Sequence, residues 1–372
     1  MGRKYLVTGA NGNVGFHVVK QLLDEGKDVV ATDLSSPDQF ALNFKDSILP
    51  KNLSYKPADM TNRFNFHPIF NGVTDVIHVA ALFNHNAKGE LLNRVNKTGI
   101  ENLMYAAIVI SCTEVEQIVV FGSSSVYGYE LVAEESGYAL HEDKQPNPQN
   151  PYAKSKQSTR EIAAAYNGRK GIQIRIVDPT GVFGPRNKYG NLTVLEAAVN
   201  GAFWLPNDGR NRSSNIHAED AAGFAIYLLD NMDRVSTRSK LTSQDPQELS
   251  YLVATPDALT AKDLMQLVWE NIPKEKRKEG TRRFTEFLGK RIELTAEIAL
   301  PFSRLVHCLL GKRTPAMLNP YVARYGFSDQ SADPHKMLAT GYQLKFPTME
   351  HVIEDTMRFH RDNPTGLLNK KK

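Results

Sequence analysis

The chain has 372 residues, 41% of them hydrophobic and 23% charged, which is an ordinary soluble globular composition with material for a large core. Its net charge of +4 comes from 45 basic and 41 acidic residues and is too weak to argue for nucleic acid; Lys370, Lys371 and Lys372 read as a solvated tail. No run of about 18 uncharged apolar residues is present to span a membrane.

The first β-rich run is KYLVT, residues 4–8, which leaves no room for a signal peptide ahead of it. In KYLVTGANGNVGFHVVKQLL it leads through a Gly-rich turn into a helical pattern, Val14–Glu25. Gly9 allows the sharp turn, Gly12 lets the backbone approach a pyrophosphate, and Gly15 lets the helix pack on the strand. The helix start adds N–H groups and a partial positive charge, so Asn11, Asn13 and Val14 fall in the same phosphate cradle. Three spaced glycines are weak evidence alone; the strand-turn-helix setting gives them meaning. The second strand, DVVAT, runs into Asp33, 18 residues after Gly15. A carboxylate there can accept from both ribose hydroxyls of an adenosine and repels a 2′-phosphate. No Lys or Arg follows until Lys45, so NAD is favoured over NADP. The plainer alternative for Asp33 is a helix or turn cap. After the third strand, LSYKP, Asp59 beside Met60 is a candidate for the adenine amino group, or else a turn residue.

DVIHVA, QIVVFGS and IQIRIV continue the strands, and Leu91–Val109 and Tyr152–Tyr166 the helices. Strand-helix-strand alternation with buried apolar strands predicts an α/β fold with a doubly wound parallel sheet. Two segments carry Tyr-x-x-x-Lys spacing, which a chain with 14 tyrosines meets by chance. In NPYAKSK, Asn150 is a good N-cap and Pro151 suits the first helical position, so Tyr152 and Lys156 lie one turn apart on one face. In YNGRK, Gly168 falls between Tyr166 and Lys170 where the helical pattern ends. FGSSSVYG follows a strand, at the end where an open α/β sheet binds ligands. A serine there with Tyr152 and Lys156 makes a proton-transfer set. A free phenol has a pKa near 10; the Lys ammonium and an oxidised nicotinamide favour the phenolate.

After Pro179 the rhythm changes. GVFGPRNKYGN and LPNDGRNRSSN read as loops, followed by helices at Leu192–Asn200, Glu219–Leu229 and Ala261–Ile272, a buried strand YLVAT, and a final helix Met349–His360. The expected organisation is a nucleotide-binding lobe over 1–178, rejoined by 216–255, and a smaller, mainly helical substrate lobe over 179–215 and 256–372.

TGANGNVG, HVAA (His78–Ala81), VNKTG, FGSSSVYG, YAKSK, PTGVFGPRN and NIHAEDAA occur in this order over about the first 225 residues. In these stretches the chain resembles the extended short-chain dehydrogenase/reductase superfamily. The resemblance implies that Tyr152 is the general acid/base and that Lys156 holds the nicotinamide ribose and tunes Tyr152. It implies that Asn96, Ala80 and Ala81 line the cofactor groove and that Pro179 precedes the nicotinamide-side loop. The serine it implies is Ser123, with Ser124 as rival. It also implies a homodimer through the helices 91–109 and 152–166, where Leu103, Met104 and Ala107 are candidates for an apolar contact.

The superfamily includes sugar epimerases and dehydratases as well as sterol dehydrogenases. Nucleotide-sugar members usually place an Arg where this chain has Ser213, although Arg186, Arg210 and Arg212 are near in sequence. GRNRSSNIHAED, the segment from Ile292 to Pro320 and HKMLATGY look more like the 3β-hydroxysteroid dehydrogenase-like group; where many of that group have Arg-Pro, this chain has Asp178-Pro179. Ile292–Leu310 is apolar on one side but too charged to span a bilayer, and reads as core packing or as a lid over an apolar substrate. Cys112 and Cys308 form no disulfide framework and lack metal-ligand spacing; a reducing, cytoplasmic setting and no metal are expected. The expected activity is NAD-dependent interconversion of a secondary alcohol and a ketone on a small, sterol-like or otherwise lipophilic substrate. The alternatives are a nucleotide-sugar epimerase or dehydratase and a non-catalytic NAD-binding regulator.

Overall fold

The computed structural model describes residues 2–84, 87–109, 114–129, 134, 137–187, 190–201, 205–235, 241–280, 282, 328–363 and 366–369. The apolar segment Ile292–Leu310 and both cysteines lie outside them.

Strand β1 (Lys4–Thr8) sits mid-sheet between β2 (Asp28–Thr32) and β4 (Asp75–His78). β3 (Leu53–Tyr55) closes one edge beyond β2, and β5 (Gln117–Phe121), β6 (Gln173–Pro179) and β10 (Ser250–Val253) extend the other, giving the order β10-β6-β5-β4-β1-β2-β3. Every pair in this seven-stranded sheet is parallel. Parallel strands need helical crossovers that cover both faces, which is why these runs are apolar without alternation. One face carries a core around Val18, Val19, Leu22, Phe224 and Leu228, from α1 (Asn13–Asp24) and α7 (Ala218–Asp230). The other carries Ile100, Leu103, Met104, Ala163 and Ala164, from α4 (Thr98–Val109) and α5 (Pro151–Tyr166). The strand order reverses between β1 and β4, so a crevice opens at their C-terminal ends.

The structure departs from the sequence expectations in three places. The helix expected over 91–109 is broken: a short helix α3 (Gly89–Leu92) passes through a π-helical turn, Asn93–Lys97, into α4. The wider turn aims Asn96 at the loop after β4, a use typical of π-turns at functional sites. Leu103, Met104 and Ala107, named as candidates for a dimer contact, are no more than 3% exposed and belong to the core, because their stripe on α4 faces the sheet. The loops after Pro179 contain short strands: β7 (Gly181–Phe183) pairs in parallel with β9 (Asn215–His217), and β8 (Arg212–Ser213) pairs antiparallel with β11 (Leu259–Thr260). Two- and three-residue strands carry too few positions for a period to be legible.

Candidate active site

The Gly-rich loop has the shape its glycines allow. Gly9 lies at φ +68°, and a Cβ there falls 2.8 Å from the Ala80 backbone; a Cβ on Gly15 collides with the Gly9 carbonyl. Gly12 caps α1 without a side-chain hydrogen bond, so no capping side chain occupies the first N–H groups of the helix. The buried Oδ1 of Asn13 has no hydrogen-bond partner among the described residues. These features fit a pyrophosphate. Asp33 spreads its carboxylate over two backbone donors, the N–H of Asn11 at 3.0 Å and of Leu34 at 2.7 Å. That pins it to the loop at the end of β2 and leaves its remaining lone pairs for a ribose. The exposed Asp59 accepts from the Thr61 N–H at 2.8 Å and caps its own turn. Met60 is buried, and its carbonyl accepts from Asn102 at 3.0 Å.

On the opposite wall, Asn96 takes the Leu82 N–H at 2.7 Å and donates to Ser155 Oγ at 2.9 Å. It ties the loop after β4, with Ala80 and Ala81, to α5. Ala80 N–H donates to Thr8 Oγ1 at 3.2 Å, and Thr8 in turn lies 2.8 Å from His78 Nδ1. Burial, then the Lys156 charge, pushes the His78 imidazole down to about 3, so it is neutral.

Helix α5 starts where its sequence signals it: Asn150 Oδ1 accepts from Ala153 N–H at 2.8 Å, with Pro151 in the first turn. Tyr152, Lys156 and Arg160 then fall one turn apart along one buried stripe. The helix ends at Tyr166, and Gly168 turns left-handed at φ 82°, so Tyr166 and Lys170 do not share a helix face. Lys170 donates instead to the Ile108 carbonyl, and Arg169 lies over the Tyr166 ring.

Tyr152 is 6% exposed, and its phenol is hydrogen-bonded with the Ser123 side chain. Burial holds its pKa far above the ordinary value, the Ser123 hydrogen bond opposes that, and the Asp178 charge adds to it. Ser123 also caps the 3-10 turn Ser124–Tyr127, accepting from Ser125 N–H at 3.2 Å, whereas Ser124 is the first residue of that turn. Lys156 donates to the Phe121 carbonyl at 2.7 Å. Burial lowers its pKa to about 8, and Asp178 works against the fall. Pro179 closes β6 beside Val253.

Sequence reasoning missed Phe83, whose ring meets the Tyr152 ring edge-on at 4.9 Å, two residues beyond the HVAA stretch. Arg186 lies 4.1 Å over the Phe16 ring and donates to Asn43 Oδ1 at 2.6 Å and Asn11 Oδ1 at 3.2 Å, against the Gly-rich loop. Arg212 donates to the Gly137 carbonyl at 2.8 Å and the Ala258 carbonyl at 3.3 Å. Arg210 is exposed and paired with Asp208 at 3.0 Å. Ser213 accepts from Asn215 Nδ2 at 3.3 Å. Among the described residues no helix is long and apolar enough to cross a membrane.

The model of the NAD dependent epimerase/dehydratase family matches residues 5–240. Among curated proteins, the human sterol-4-alpha-carboxylate 3-dehydrogenase, decarboxylating, is 26% identical over 243 residues, 63% of this chain and 60% of that one. The UDP-glucose 4-epimerase of Bacillus subtilis is 33% identical over 186 residues, 47% of this chain and 52% of that one. The chain thus spans between half and three-fifths of the length of these relatives. The solved dTDP-glucose 4,6-dehydratase DesIV of Streptomyces venezuelae, with NAD bound, superposes with a TM-score of 0.70 at 19% identity, over 97% of this chain and 98% of that one. The Thermus thermophilus UDP-glucose 4-epimerase complex with NAD gives 0.65 at 20% identity, over 97% and 99%.

Proposed function

This chain belongs to the NAD dependent epimerase/dehydratase family, and within it we propose an oxidoreductase that interconverts a secondary alcohol and a ketone on a sterol-like or other lipophilic substrate. NAD, the family's cofactor, supplies the hydride acceptor or donor when bound. The residues proposed to hold it are Gly9, Asn11, Gly12, Asn13, Val14 and Gly15 at the pyrophosphate, Asp33 at the adenosine ribose, Asp59 and Met60 at the adenine, and Ala80, Ala81, Asn96, Lys156 and Pro179 toward the nicotinamide. The Tyr152 phenol gives its proton to the substrate oxygen in reduction and takes it back in oxidation. The Ser123 hydroxyl, already bonded to Tyr152, holds the same oxygen. Lys156, as an ammonium, favours the phenolate. The proposal extends to a division into a cofactor lobe, 1–178 with 216–255, and a substrate lobe, and to a homodimer, whose mass light scattering reads.

The observation that carries the substrate class is where the arginines are engaged. A diphosphate needs fixed cations. Arg212 is spent on two backbone carbonyls, Arg210 is paired in solvent, Arg186 lies at the cofactor loop, and Ser213 is uncharged. The human relative whose name specifies a sterol supports this reading. The B. subtilis relative, named as a UDP-glucose 4-epimerase, favours a second one, a nucleotide-sugar epimerase or dehydratase. The discriminating experiment is thermal unfolding with NAD present. Steroids or aliphatic ketones are expected to raise Tm, and millimolar UDP or dTDP to leave it unchanged. The opposite pattern moves the chain to the sugar-nucleotide class.

A further inference from the structure

Behind the proposed proton-transfer set lies a buried ion pair that the chemistry so far has not used. Arg160 Nε and Asp178 Oδ2 are 3.1 Å apart, and both side chains are fully buried. Arg160 stands one turn beyond Lys156 on α5; Asp178 stands near the end of β6. The other oxygen of Asp178 accepts the backbone N–H of Ser123 at 2.9 Å. Gly122 is held between them: its N–H bonds the Val177 carbonyl at 2.8 Å, and a Cβ there collides with Asp178 Oδ1. The residue before it, Phe121, offers the carbonyl that takes the Lys156 ammonium. Arg160 is fixed in turn by Ser250 Oγ on β10 at 3.1 and 3.2 Å, by Gln157 at 3.0 Å, and by the Tyr127 ring at 5.5 Å.

We propose that Asp178, clamped by Arg160, is the positioning residue of this site: it fixes the Ser123 backbone against the helix bearing Tyr152 and Lys156, and it supplies the buried negative charge that Lys156 faces. A lone buried carboxylate in this place is costly; the Arg160 guanidinium, 3.1 Å away, offsets its charge, although Asp178 Oδ2 makes no hydrogen bond among the described residues. The charged and titratable groups around Asp178 are Arg160, Lys156 and Tyr152 on α5, Tyr127 after β5, and Glu142, whose carboxylate takes the Leu252 N–H of β10 at 2.7 Å. Lys156 responds to Asp178 in the direction this role requires, since the carboxylate opposes the loss of the ammonium on burial. With a pKa of about 8, about nine-tenths of Lys156 is charged at pH 7; a fall of about one unit leaves about half.

The inference rests on the role proposed for Tyr152 and Lys156, but its test needs no substrate. In the full chain labelled at lysine Cε, the Lys156 signal is assigned by its loss in Lys156→Arg and titrated by NMR. Asp178→Asn, which keeps an acceptor for Ser123 N–H but removes the charge, is expected to lower the Lys156 midpoint by about one unit or more. Arg160→Gln, which leaves the carboxylate uncompensated, is expected to raise it. A purely structural pair destabilises the fold in both variants without moving the midpoint in opposite directions, and any pattern other than the opposed shift overturns the proposal. If circular dichroism shows that Asp178→Asn does not fold, Asp178→Leu with Arg160→Met is compared with Arg160→Met alone, so that only the carboxylate differs; a lower midpoint in the double variant supports the assignment and an equal or higher one overturns it. The catalytic reading fails separately, if Tyr152→Phe retains alcohol turnover.

Discussion

At Tyr152 burial and hydrogen bonding pull in opposite directions: desolvation keeps the phenol protonated, and the Ser123 hydrogen bond favours its anion. A neutral phenol suits the acid in ketone reduction, and the base in oxidation needs added cationic charge nearby. Tyr152→Phe is therefore expected to lower turnover at least about a hundredfold, read at 340 nm with a ketone or alcohol panel. Tyr166→Phe, at the helix end under Arg169, is expected to be nearly silent in the same assay. That Tyr152 and Lys156 share a helix face while Tyr166 and Lys170 do not was legible in sequence, because Asn150-Pro151 opens a helix and Gly168 closes one. Between Ser123 and its rival Ser124 the sequence left the alternative open, because adjacent serines differ only in how the 3-10 turn points them; Ser123 is the one that acts on the Tyr152 phenol. Asp33 raises a further expectation. In its proposed role at the adenosine ribose its carboxylate repels a 2′-phosphate, so NAD(H) is expected to bind more tightly than NADP(H) in calorimetric titration of both. Arg186 is a cation near that end that sequence distance concealed, since 175 positions separate it from Asn11. Tighter NADP(H) binding means that Arg186 outweighs Asp33.

The helices do more than cover the sheet. In the stretch read as one helix, the π-turn Asn93–Lys97 rotates Asn96 so that a single buried amide joins the loop after β4 to Ser155 on α5. Asn96→Ala leaves the Leu82 N–H without its side-chain acceptor, and a loss of about 2–3 kcal/mol is expected, read as a lower midpoint in urea. A hydrophobic pattern shows which face of a helix is buried but not where an extra residue enters the turn, so the π-turn had no signature in sequence. The same pattern explains the misplaced contact at Leu103, Met104 and Ala107. An apolar stripe on a helix packs equally well on a sheet or on a second subunit, and here the sheet takes it. The exposed residues Tyr105 and Val109 lie on the remaining face of α4.

For the molecule as a whole, the buried imidazole of His78 gives stability a pH dependence of definite sign. Folded, it stays neutral to about pH 3, whereas unfolded it protonates near 6.5. The unfolded state therefore binds more protons across that window. This contribution is complete above pH 6.5 and is lost as pH falls toward 3. Its size is on the order of a few kcal/mol. Urea midpoints measured from pH 7 to pH 4 are expected to fall more steeply for the wild type than for His78→Gln; parallel curves count against a neutral His78. Lys156 acts on the alkaline side, where its folded value of about 8 lies below the ordinary 10.5, so its contribution rises between the two.

Seven parallel strands, the Gly-rich loop with its three glycines, and the helix that places Tyr152 and Lys156 one turn apart were legible from residue order. Each of these is a local rule: period, cap, turn residue and fixed spacing act over a few positions. What those local pieces meet depends on the fold. It put Phe83 on the Tyr152 ring, Arg186 on the Gly-rich loop, and Asn96 between the β4 loop and α5. It also turned Asp178, which in sequence was only a departure from a familiar Arg-Pro, into the buried partner of Arg160 and the anchor of Ser123. Charges distant in sequence reveal their pairing only when folding removes water from both, because a buried carboxylate must then find its cation and its N–H donors within the chain.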